Sequence, residues 1–151
     1  MARQGITGNK MLVTFSSFSV CDVIEVPHER FRQWLRRGDV EATTPAEGQG
    51  TRAEFTAPDI YRAELFKRLV DSGYRREVAA GVVKQIDHDS IGGNILVYSV
   101  EAQKDETKFF ARTFADFKQA VEFMESYPWR EVRVLNLAGL RRDMDNRIKD
   151  L

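Results

Sequence analysis

The chain has 151 residues, 42% of them hydrophobic and 30% charged, with Lys+Arg and Asp+Glu both at 23. This size and composition suit a globular protein able to bury a real core, and a zero net charge argues against indiscriminate nucleic-acid binding. There is no apolar run of transmembrane length and no apolar signal core near the N-terminus, so neither membrane insertion nor secretion is expected and the cytoplasm is the default location.

The single cysteine, Cys21, cannot make an internal disulfide. His28 and His88 lie too far apart for a metal-ligand spacing, so no metal or other cofactor is expected. In chain order, the first ten residues, with Gly5, Gly8 and Asn9, read as a frayed terminus, and Leu12 to Phe15 as a short extended lead into the fold. "SSFSVCDVIEV" then offers serine caps followed by Val20, Cys21 and Val23 on roughly one helical face, a short helix reaching Val26. Pro27 suits the first turn of a second helix, which runs to Arg37 and ends at Gly38 in the left-handed conformation.

On that second helix Phe31, Trp34 and Leu35 fall at i, i+3 and i+4 and form a narrow apolar stripe. Glu29, Gln33 and Arg36 point away from it, and Arg30, Arg32 and Arg37 lie on its flanks. One side packs and the other is strongly basic. A solvated amphipathic helix would read the same way in isolation. Two short helices joined by a tight turn, the second basic on its outer face, match the helix-turn-helix in size and charge, and there the second helix enters the major groove.

"VEATTPAEGQGTRAEFTAPDIYRAELF" continues with a Pro/Gly-rich loop containing Gly48 and Gly50, between extended pieces near Thr43 and from Arg52 to Phe55, the makings of a hairpin wing over 43–55. Thr56 caps a third helix, with Asp59 at capping-box spacing, Ile60, Ala63, Phe66, Leu69 and Val70 inward, and Gly73 as the stop. A fourth helix is predicted from about Arg75 to Ile86, burying Val78, Val82, Val83 and Ile86.

Residues 16–86 resemble the winged helix-turn-helix DNA-binding domain of the MerR family. The resemblance is carried by "VPHERFRQWLRRGDV", "TRAEFTAPDIYRAELFKRLVDSGYRREVAAGVV" and the spacing between them. It implies a recognition helix in which Arg32, just after the first buried apolar residue Phe31, touches base edges or phosphates. Phe55 and Thr56 fit the family's second wing aromatic and the next helix's cap. Arginine chemistry adds that Arg30, Arg32, Gln33 and Arg36 can divide phosphate neutralisation and base reading, with Arg37 a further DNA-binding candidate and Arg52 on the wing bracing a phosphate or entering the minor groove. His28, near the helix start, is a phosphate contact or a surface residue. Glu29 either accepts from cytosine or favours the helix N-terminus electrostatically.

"DHDSIGGN" at 87–94 reads as a boundary between a domain at 16–88 and a unit at 94–151. Beyond it come strands at 94–102 and 108–114 joined by "QKDET", and an amphipathic helix, "ADFKQAVEFMESY", with Phe117, Ala120, Val121 and Met124 on one face and Pro128 closing it. A third strand, "REVRVLNL", leads into a charged terminal helix striped by Leu140, Met144, Ile148 and Leu151. The fold class is therefore α+β, a four-helix winged helix-turn-helix followed by a small ββαβα unit. The terminal stripe, if exposed, would pair with its twin in a homodimer. No catalytic constellation is visible: "DHD" is a polar turn, and "SIGGN" lacks a phosphate loop's lysine. The expected function is a sequence-specific transcription regulator bound to double-stranded DNA. The alternatives are an architectural factor of the excisionase type, or a protein-interaction module whose basic helix meets an acidic partner.

Overall fold

The structure is a computed structural model that describes residues 2–7, 10–128 and 131–151. A hairpin of β1 (Ala2–Thr7) and β2 (Lys10–Phe15) leads into α1 (Ser17–Ile24) and α2 (His28–Arg37). The predicted frayed start is thus a paired one in its described part, with Ala2 opposite Phe15 and Thr7 opposite Lys10, because the pairing satisfies backbone groups that a lone strand leaves to water. Gly8 and Asn9 lie outside the described residues.

After α2 the chain makes a minimal ribbon, in which Thr44 bridges Glu54 and Phe55 bridges Phe15 at the end of β2. Then follow α3 (Ala57–Asp71), α4 (Arg76–Lys84), a 3-10 turn (Ser90–Gly92), β3 (Ile95–Gln103), β4 (Glu106–Phe114), α5 (Phe117–Ser126), β5 (Arg133–Asn136) and α6 (Leu137–Lys149). The three later strands form an antiparallel sheet in the order β4-β3-β5. The third strand is shorter than its sequence signal, and Arg130 at the start of that signal lies outside the described residues.

The boundary read at 87–94 does not separate two cores. One buried cluster runs from Phe15, Phe31 and Phe66 in the helical half through Ile91 and Leu96 to Leu137 and Met144. The sheet face carrying Leu96, Tyr98, Val100, Phe109, Ala111 and Leu135 joins that cluster. Helix α4 lies so close to β4 that a Cβ at Gly81 would fall 2.2 Å from the Phe109 ring. Gln85, just past α4, caps part of the open edge of β4: its side-chain oxygen accepts from Ala111 N (2.7 Å) and its amide nitrogen donates to Phe109 O (3.3 Å).

The terminal stripe is not free to pair with a twin. Leu140 is 1% and Met144 0% exposed, Ile148 packs against the same cluster, and only Leu151 is exposed. The reason is that α6 folds back onto α3 and α1, so its apolar face finds a core in its own chain. Polar contacts fasten it there: Tyr61 donates a short hydrogen bond to Asp145, Arg68 sits 3.5 Å from Asp143, and Arg147 donates to Val23 O at 2.9 Å. Burial and the Asp145 carboxylate both push the Tyr61 hydroxyl's pKa up.

Helix α5 covers the other face of the sheet, where Phe123 packs against Phe110 and Phe114. Of its predicted inward face only Ala120 is fully buried, and Phe117 is exposed, because a single short helix covers part of a three-stranded face and leaves its first turn in solvent.

Cys21 is buried in α1, and burial pushes its thiol up to about 11. Since the thiolate is the reactive form, a thiol reagent at neutral pH should label native protein only as fast as the fold opens. Labelling as rapid as that of the urea-unfolded chain would contradict this packing.

Candidate nucleic-acid interface

Two caps and a clamp set the angle between α1 and α2. Ser16 accepts from Ser19 N at 3.2 Å to start α1, and Glu25 ends it with φ 58, a left-handed conformation that a non-glycine residue adopts at a cost of about 1–2 kcal/mol. The clamp holds this turn: Lys67 of α3 donates to Ile24 O (2.6 Å) and Arg147 of α6 to Val23 O, placing two cations at the negative end of α1. Beneath them Glu64 is buried, 3.6 Å from Lys67 and 3.9 Å from Arg68, and desolvation raises its pKa despite those neighbours.

Helix α2 buries Phe31 and Trp34, which meet Phe55 and Phe66 at ring distances of 5.5 and 5.0 Å. Gly38 closes it with φ 75. Arg30, Arg32, Gln33, Arg36 and Arg37 are all exposed, Gln33 and Arg36 on the side opposite the buried stripe and Arg30 and Arg37 on its flanks. Arg30 lies 5.3 Å from the Trp34 ring centre, so its charge is partly held over the indole face. Glu29 stands 3.9 Å from both Arg32 and Arg36, an exposed and weak pairing that leaves the arginines available. His28 is half-buried, its ring stacked 4.0 Å from that of Phe18.

Arg52 is exposed on the ribbon that follows α2, and an open groove lined by Arg32, Leu35, Arg36, Pro45 and Ala53 runs between the two. The ribbon's base is tied to α3 through Asp59, which is 3% exposed. One carboxylate oxygen accepts from Thr43 N (2.7 Å), Thr43 Oγ1 (2.6 Å) and Thr56 N (2.9 Å), while the other faces His88 Nε2 at 2.8 Å. At the exit of α2, the Asp39 carboxylate meets Arg76 of α4 at 3.2 Å.

Two short helices at a clamped turn, a basic outer face and a ribbon behind it are the parts of a helix-turn-helix domain. Residues 15–86 match the model of the MerR HTH family of regulatory proteins. This segment is a MerR-like helix-turn-helix. It covers just under half of the chain, and no curated protein matches the chain. A domain of this kind suggests a DNA-binding regulator of transcription. Among the described residues no helix is long and apolar enough to cross a membrane.

Of the residues singled out in the sequence, Arg30, Arg32, Gln33, Arg36 and Arg37 of α2 and Arg52 of the ribbon are exposed, Arg32 and Arg36 line the groove beside the ribbon, and Arg30 lies by Trp34. Sequence reasoning missed two features. Phe18 shares the solvent side of α1 with Asp22, and an apolar residue off the Val20, Val23 and Ile24 face was the available signal. His88, taken as part of a polar turn, is Asp59's partner, a pairing across 29 residues that no local pattern announces.

Proposed function

We propose that the protein is a sequence-specific transcription regulator that lays α2 in the major groove of double-stranded DNA and sets the 43–55 ribbon, as a wing, against the neighbouring backbone. The observation that carries this reading is the open arginine face of α2 within the MerR-like segment. Arg32, Gln33 and Arg36 stand where a recognition helix addresses base edges. Arg30 and Arg37 on the flanks, His28 at the helix start and Arg52 on the ribbon serve phosphates. A homodimer reading two half-sites would suit this geometry, with a surface other than the stripe of α6.

The test is binding to random-sequence duplex and to a duplex enriched by the protein from a random library, each at several salt concentrations. Arg32→Ala should weaken the enriched site by about 1–3 kcal/mol and random duplex by less. Arg52→Ala should weaken both alike and lower the salt slope by about one. Full binding by both variants would remove this surface from the interface, and binding to an acidic protein partner in place of DNA would favour the interaction-module reading.

A further inference from the structure

The basic face explains the arginines but not the aromatic ring beside them. Phe18 is 60% exposed in the first turn of α1, directed away from the core face of its helix. It therefore forgoes the burial that a phenyl side chain ordinarily obtains. Its ring is nonetheless fixed, lying nearly parallel (7°) to the imidazole of His28 with centres 4.0 Å apart, and His28 Nε2 is 3.4 Å from Ser17 Oγ. His28 is the first residue of α2, one turn before Arg32 on the same side of the helix. The stacked pair thus stands at the N-terminal end of α2, the end whose residues meet base edges when a recognition helix docks.

We propose that Phe18 is a specificity-determining residue that reads the 5-methyl group of thymine, with His28 as its positioning residue. This rests on the reading of α2 as the DNA-reading helix. The thymine methyl is the apolar group that bases display in the major groove, and the arginines and Gln33 of α2 suit only its polar acceptors and donors. One face of the Phe18 ring is already covered by His28, so it cannot slip between two base pairs as a wedge; its free face and edge suit a lateral contact with a methyl group. The ring gives up little freedom on binding, because stacking has already oriented it.

The experiment takes the intact protein and a duplex that it enriches from a random library, and replaces each thymine of that site in turn by deoxyuridine, which deletes the methyl group alone. At one or more positions the wild-type protein should bind the deoxyuridine duplex about four-fold more weakly, the weight of one buried methyl group. Phe18→Ala should bind the thymine duplex at least that much more weakly and should no longer distinguish thymine from uracil there. Its melting temperature should stay close to the wild type, since the side chain is 60% exposed and gives up only its stacking on His28. A wild-type protein indifferent to every thymine methyl, or a Phe18→Ala variant that still senses the same one, overturns the inference while leaving α2 as the DNA-reading helix. Failure to enrich any site overturns that reading, and the role of Phe18 with it.

Discussion

Deleting residues 140–151 should unfold the whole protein and not only its C-terminal half. The deletion strips from the shared core two side chains that are 1% and 0% exposed, Leu140 and Met144, and uncovers the surfaces of α1 and α3 beneath them. It also removes Asp145 from Tyr61, Asp143 from Arg68, and Arg147 from the end of α1 that sets the helix-turn-helix angle. A milder form of the same test is Met144→Ala, expected to cost about 2–5 kcal/mol as a buried large-to-small change, beside Leu151→Ala, whose exposed side chain should leave stability within about 0.5 kcal/mol. Circular dichroism on heating checks both. A truncated chain that still melts cooperatively would show that α1 to α4 hold together without α6, and a deeply destabilised Leu151→Ala would place that residue in a contact absent from this monomer.

Asp59→Ala should be the most damaging single change to a polar residue of the helical half, at about 3 kcal/mol. A helix cap alone is worth about 0.5–2 kcal/mol, and a hydrogen bond to a charged group about 1.5–3. Here one buried carboxylate serves both the cap of α3 and the base of the ribbon, so its loss leaves the Thr43 and Thr56 amides without their partner. His88→Ala removes only one partner of that carboxylate, from a side chain that is 47% exposed, and should cost no more than about 1 kcal/mol. Urea titration of the two variants checks the order. If His88→Ala proves as costly as Asp59→Ala, the histidine rather than the two amides is the main support of the carboxylate. Weaker DNA binding by Asp59→Ala under conditions where it remains folded would further show that the ribbon's placement depends on this hub.

Helix positions and the basic surface were legible in the sequence because their causes are local. Ser16 and Thr56 precede apolar periodicity, Asp59 sits at capping-box spacing, and Gly38 ends α2 where a left-handed residue is required. Once Phe31 and Trp34 turn inward, helical geometry alone carries Gln33 and Arg36 outward, so the exposed arginine face follows from spacing. Periodicity states that a face is buried without stating against what. The stripe of Leu140, Met144 and Ile148 would read the same on a dimerisation helix and on a helix folded back into its own core, and only the packing of α6 on α1 and α3 chose between them. The same holds for the pairing of Asp59 with His88, the stacking of Phe18 on His28 and the close approach of Gly81 to Phe109. Each joins residues from different elements, and their meeting depends on how those elements pack, which no short stretch of sequence encodes.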